Sequence, residues 1–154
     1  MKKICYLFVL AIMPMCFTAC GDGGDEGSGN PSTGNLIDLS KEGIINLDYL
    51  PGTWERYYFV YYVNNQFHHD GVYDEGKRQK YIFYPNKSAT SYSNPDASPY
   101  VADYYYVNDK NRIYLVKNDK QSYVGDIFYL TEDRMVLKDE EGSEKSLYLY
   151  IKTN

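Results

Sequence analysis

The chain has 154 residues and a formal charge of −5, with 16 basic against 21 acidic side chains. That length suits one domain, and the acidic balance excludes the basic field that a nucleic-acid binder needs. Tyrosine is the outlier, with 19 residues against one Trp and 6 Phe, and such aromatic side chains favour pleated β-structure. Met1-Lys2-Lys3 opens the chain with positive charge, and residues 4–17 follow without a charge, interrupted by Pro14. This run is shorter than the ~20 apolar residues that span a bilayer, but it has the length and order of a secretory signal peptide.

The run closes on Phe17-Thr18-Ala19-Cys20, which resembles the lipobox of bacterial lipoproteins. The resemblance implies a signal peptide over residues 1–19, cleavage before Cys20, and a triacylated Cys20 that anchors the protein in the bacterial outer membrane. Cysteine usage points the same way: the three cysteines are Cys5, Cys16 and Cys20, so cleavage leaves one thiol with no internal disulfide partner. Acyl chains contribute about 0.8 kcal/mol per buried methylene, and more than one chain makes attachment stable. Residues 21–35 hold six glycines, three acids and no large apolar side chain. Such a segment cannot bury enough surface to order itself, and it reads as a tether with a reach of roughly 20 Å. The D-x-D-x-D-G spacing of a calcium loop is absent from it. Its acids directly after Cys20 resemble the export signals of surface-exposed lipoproteins in some Gram-negative bacteria.

The remaining residues, 36–154, suffice for one core and are too few for two. Around 40–50 the three-residue spacing of Ile44, Leu47 and Leu50 predicts a short capping helix, with Gly43 weakening anything longer. Beyond it, turn signals recur at Asn64-Asn65, Pro85-Asn86-Lys87, Asn94-Pro95-Asp96, Asn108 to Asn111, Asn118-Asp119-Lys120, Glu132-Asp133 and Glu141-Gly142. Asn, Asp and Gly tolerate the positive φ of tight hairpins. The runs between them are rich in Tyr, Val, Ile and Phe and predict strands at 53–63, 66–73, 79–84, 88–92, 102–107, 112–117, 122–130, 134–138 and 145–152. Short loops make these strands antiparallel neighbours. An up-and-down sheet of eight or nine strands closes to remove its edges, so the expected fold is an all-β antiparallel barrel, with a two-sheet sandwich as the alternative.

Alternation then assigns faces. Leu147, Leu149 and Ile151 suit the interior and Tyr148, Tyr150 and Lys152 the exterior; Ile113 and Leu115 oppose Tyr114 and Val116 in the same way. If Trp54 points inward, Arg56, Tyr58, Val60 and Tyr62 share its face, while Tyr57, Phe59 and Tyr61 look outward. An inward Arg56 needs a partner or a hydrated position near a mouth.

Leu50-Pro51-Gly52-Thr53-Trp54-Glu55, opening the first strand after a capping segment, resembles the G-x-W start of lipocalins. The segment 127–137, with Leu130-Thr131 at its turn, resembles the late hairpin of bacterial lipocalin-like lipoproteins. The resemblance covers about residues 39–152. It implies that Trp54 plugs the closed end of the barrel, with a basic side chain from near the last strand packed across it. No Arg lies near the C-terminus, so Lys152 is the residue left for that role.

Catalytic chemistry finds no frame. His68-His69-Asp70 is the one histidine cluster, and adjacent strand residues point to opposite faces, so a shared metal is not expected. Asp139-Glu140-Glu141 precedes Gly142 as a solvated turn. No G-x-S-x-G elbow occurs, and 21 acids fix no carboxylate pair. The expected function is therefore binding without catalysis, cofactor or metal. The lead reading is an envelope-anchored barrel holding a small apolar or amphipathic ligand, lined by Tyr58, Tyr62, Tyr81 and Phe83. The alternative is a filled barrel that meets a protein or glycan partner through outward Tyr57, Phe59 and Tyr61, since aromatic rings offer contact area at little entropic cost.

Overall fold

The computed structural model describes residues 43–153; the expected signal peptide, the Cys20 anchor and the tether lie outside them. A single 3-10 turn, Leu47–Tyr49, stands where a capping helix was expected. The Asn46 side chain accepts from the Asp48 amide at 3.0 Å and ends any longer helix before it starts. Ahead of the turn, Ile45 pairs in parallel with Leu130, so the residues expected to coil are instead drawn out along a strand.

Ten strands follow: β1 Gly52–Val63, β2 Gln66–Val72, β3 Lys80–Phe83, β4 Ala89–Tyr92, β5 Tyr100–Ala102, β6 Tyr104–Val107, β7 Arg112–Lys117, β8 Lys120–Leu130, β9 Arg134–Glu141 and β10 Glu144–Thr153. All pair antiparallel. The punctuation works as its chemistry requires. Asn64 and Asn65 adopt φ 51° and 60°, and Asn118 and Asp119 adopt 49° and 61°, the doubled left-handed pair of a two-residue hairpin.

Nine strands run in the order β5-β4-β3-β1-β10-β9-β8-β7-β6, and β2 pairs with β1 beside β3. The two ends of this order are joined by Asp103, the residue between β5 and β6. Its amide donates to Val116 O at 2.8 Å on one side, and the Tyr105 amide donates to Lys87 O at 2.7 Å on the other. The sheet thereby curls into a nearly closed, lipocalin-like barrel, and the sandwich alternative falls away. The interior holds Trp54, Tyr81, Phe83, Ala89, Ala102, Tyr105, Ile113, Leu115, Ile127, Met135, Leu137 and Tyr150 as one buried cluster.

The faces of β1 and β10 differ from those expected by alternation, on β1 because of a β-bulge and on β10 because its aliphatic set is buried on the outer face. On β1 the register with β10 slips between Arg56 and Tyr58, leaving Tyr57 as the extra residue. Trp54 and Arg56 lie opposite Lys152 and Tyr150, whereas Tyr58 lies opposite Leu149 and Phe59 opposite Tyr148. One inserted residue exchanges the two faces of everything after it. Phe59 and Tyr61 therefore face inward by register and Tyr58, Val60 and Tyr62 outward, while β10 keeps an unbroken alternation in which Tyr148 and Tyr150 point inward and Leu147 and Leu149 outward.

That outer face is not wet. Tyr58, Leu149, Val136 and Tyr129 stand in register across β1, β10, β9 and β8. With Val60 and Leu147 they form a second apolar cluster in which Val60, Val136 and Leu147 are 0% exposed. A second bulge, between Ile127 and Tyr129 of β8, makes Phe128 the extra residue there. Tyr57, Tyr62, Phe128 and Tyr129 pack against the cluster, and the chain before the 3-10 turn secures its margin. Gly43 N donates to Phe128 O at 3.1 Å, and Leu130 N donates to Ile44 O at 2.9 Å.

Candidate functional site

The barrel changes character along its axis. At the end where β1 begins, Trp54 is 0% exposed and donates its indole Nε1–H to Leu50 O at 2.8 Å. The Lys152 ammonium lies 5.1 Å from the indole ring and donates to Tyr49 O at 2.9 Å. The ammonium is thus held by one carbonyl and one aromatic face. Tyr81 and Phe83 stack at 5.8 Å, and Phe83 meets Tyr105 edge-on at 4.9 Å. This end is packed with rings.

One step further along β1 the packing turns polar. Arg56 faces inward beside Tyr150, with its guanidinium carbon 4.1 Å from the Tyr73 ring centre and 5.2 Å from that of Tyr148. Tyr73, just past β2, is positioned by its amide, which donates to Tyr57 O at 2.9 Å. Gln79, ahead of β3, bridges two phenols: its Nε2 donates to the Tyr81 hydroxyl at 2.8 Å, and its Oε1 accepts from Tyr150 at 3.3 Å. Beyond Arg56, Phe59 packs on Tyr73 at 5.3 Å and on His69 at 5.6 Å. The inner wall towards this mouth is thus aromatic, partly exposed and carries one cation.

Burial raises the phenol of Tyr81 to about 12, against a smaller downward pull from Arg56, and raises that of Tyr150 well above its usual value. Both are neutral donors throughout the physiological range. In the unfolded chain a phenol ionises near 10, so above that pH the unfolded state releases protons that the folded state retains. Stability is complete below about pH 10 and falls as pH rises towards 12. Tyr81 alone accounts for about 3 kcal/mol of the loss. Urea midpoints taken from about pH 8 upward should fall steeply beyond about pH 10, and Tyr81→Phe should flatten the decline.

The four residues expected to line a cavity divide between the faces. Tyr81 and Phe83 are interior. Tyr58 and Tyr62 are corrected to the outer face for the reason given by the β1 bulge. There the Tyr58 hydroxyl donates to Asp70 Oδ2, and burial, followed by that carboxylate, drives its phenol pKa upward. Tyr62 meets Phe67 edge-on at 6.3 Å and lies 4.5 Å under the Lys145 ammonium. Of the three rings expected outside, Tyr57 is outward while Phe59 and Tyr61 share the inner face.

His68 and His69 also depart from expectation. A bulge between Tyr61 and Tyr62 in the β1–β2 pairing makes His68 an extra residue, and the two imidazoles turn the same way, with Nδ1 atoms 2.8 Å apart. Both rings pack against Tyr61, at 5.6 and 5.0 Å. Among the described residues no group of three His, Cys, Asp or Glu converges on one point.

Sequence reasoning missed a groove on the outer face of β7, β8 and β9. It has a volume of about 410 Å³ and is lined by Arg112, Tyr114, Tyr123, Asp126, Lys138, Asp139 and Glu140. Tyr106, Tyr114 and Tyr123 lie in register across β6, β7 and β8; the first pair stacks at 5.1 Å and the second meets at 5.8 Å. Asp126 Oδ1 accepts from Arg112 Nε and from the Tyr123 hydroxyl, each at 2.9 Å. A usable signal existed in the period-two spacing of Arg112 and Tyr114 on β7, both opposite the aliphatic Ile113.

No protein-family profile matches the chain, and no curated protein sequence matches it.

Proposed function

We propose that this chain is a binding module of the bacterial envelope: a barrel, held by acyl chains on Cys20, that takes a small amphipathic ligand at its inner mouth and works without catalysis. The observation that carries this reading is the axial asymmetry of the interior. One end is packed around Trp54, whereas the inner wall beyond it presents partly exposed Arg56, Phe59, Tyr61, Tyr73 and Tyr148. A concave wall that is mainly aromatic with few polar groups is the usual make-up of a small-molecule site. Tyr81 forms the floor of that site, and Phe83 lies below it in the plug. The anchor rests on the lipobox-like residues 17–20 and on the absence of any other cysteine after position 16.

A second reading has its own observation. The outer groove sets the Tyr106-Tyr114-Tyr123 ladder beside Arg112, Asp126 and Lys138, and rings beside planar charged groups suit a glycan or a polar protein segment.

One measurement addresses both. Native mass spectrometry of the protein purified from its own membrane should show an acylated N-terminal mass at Cys20 and a co-purifying small molecule that leaves on activation. An acylated protein with a clean apo mass would shift the reading to the outer groove. An unmodified Cys20 would remove the anchor.

A further inference from the structure

We infer that Arg56 is the anchor of an oxyanion site inside the barrel mouth, and that the ligand of this module carries a carboxylate or another oxyanion on an apolar body. The inference rests on the interior-binding reading above and deepens it.

The argument starts from an imbalance of charge. Arg56 is brought inward next to the core, and its Nε is sealed from solvent without a hydrogen-bond partner. A buried donor of this kind ordinarily finds an acceptor, and a charged one left without costs more than a neutral one. The residue as a whole is only partly buried, so the guanidinium sits at the edge of the packed region, within reach of a ligand entering past Phe59.

The nearest acid in sequence does not serve it. Glu55 faces the other way and is occupied by Arg78 at 3.1 Å and Lys80 at 3.9 Å. Among the described residues no carboxylate pairs with Arg56. Tyr73 and Tyr148 stabilise the cation by their ring faces, but a ring face offers nothing to N–H groups lying in the guanidinium plane.

The surrounding hydroxyls complete the pattern. The Tyr81 oxygen accepts from Gln79, which leaves its own proton free to donate. Burial keeps the phenols of Tyr73 and Tyr81 protonated, while Tyr150 gives its proton to Gln79. An unpaired planar cation, with neutral phenol donors beside it and no competing acid, is complementary to an oxyanion. The guanidinium fork matches a carboxylate or phosphate in two parallel hydrogen bonds. The plug below Arg56 leaves no depth for a tail, so the anionic head enters first and the apolar body rests against Phe59 and Tyr61 towards the mouth.

The test is a titration of the full chain in neutral detergent with benzoate, benzyl alcohol and inorganic phosphate, read by calorimetry and by the Arg56 Nε–H resonance. The expected result is that benzoate moves this resonance and binds at least about tenfold more tightly than benzyl alcohol. Arg56→Met should abolish the difference, and Arg56→Lys, which keeps the charge but loses the fork, should retain part of it. Phosphate moving the same resonance as strongly as benzoate supports the site with an inorganic oxyanion as occupant. Equal binding of benzoate and benzyl alcohol overturns the inference while leaving an interior binding site in place. No binding of any probe, with the resonance unmoved, overturns both. The wild-type resonance decides the matter even if the Met variant fails to fold.

Discussion

Trp54→Ala should destabilise the barrel by about 3–5 kcal/mol, the usual cost of removing a large buried aromatic side chain. Three contributions meet at this residue. The indole is completely buried; its N–H satisfies Leu50 O; and its face supports the Lys152 ammonium, which in turn ties β10 to the Tyr49 carbonyl. Truncation opens a cavity and also frees a lysine and a carbonyl that had been matched. Domains of this size hold only about 5–15 kcal/mol in total, so a large part of the population should unfold at moderate urea. Equilibrium denaturation followed by far-UV circular dichroism measures this directly. Trp54→Phe, which fills most of the space but cannot donate to Leu50, should fall between the two. A change below about 1 kcal/mol for the alanine variant would show that the closed end is held by something other than this ring.

Val136→Asp carries the second large effect, and it separates two pictures of the molecule. In a barrel with one packed and one wet face, Val136 would be on the wet side, because its neighbours Met135 and Leu137 point inward, and an aspartate there would be nearly neutral. Here Val136 is 0% exposed between Leu149 and Tyr129. A carboxylate at that point has no partner and must either lose its water or force the cover apart, at about 4 kcal/mol or more. Glu141→Gln on the exposed part of the same strand serves as the control and should change stability by no more than about 0.5 kcal/mol. Thermal or urea midpoints of the two variants side by side give the answer.

That contrast also explains which parts of the molecule could be read from residues alone. Strands and hairpins were legible because their causes are local. Asn64-Asn65 and Asn118-Asp119 tolerate left-handed backbone, and the intervening Tyr, Val and Ile runs suit a pleat. Closure was legible from strand number and short loops. The faces of β1 and β10 were not, because alternation identifies an interior only when the other side meets water. On β10, Leu147, Leu149 and Tyr150 are all buried, and the period-two contrast carries no sign.

The bulges compounded this. Their extra residues are Tyr57, His68, Val124 and Phe128; of the four only Val124 is marked in the sequence, by the adjacent Gly125 inside β8. A bulge answers the curvature demanded by the closed sheet, which is a property of all the strands together. The candidate site inherits the same division. Arg56 was visible as an inward cation in need of company, since it precedes the slip. Tyr58 and Tyr62 follow it and were exchanged for Phe59 and Tyr61. Tyr148 reaches Arg56 from β10 and Tyr73 from the connection after β2, and only the folded register brings both there.

The junction at Asp103 has a consequence for how the molecule lives among neighbours. Any open sheet presents two rows of unspent amides and carbonyls, and each row can recruit an identical chain, which is how fibrils begin. Here the first and last members of the series are successive stretches of one backbone, hinged at a residue whose amide is already taken by Val116 and whose carboxylate receives the Asn118 amide at 2.8 Å. That junction covers the two ends of the nine-strand series, whereas β2, which pairs with β1 alone among the described residues, keeps an open edge. Strand addition between crowded copies would therefore start at β2 and not at the Asp103 junction.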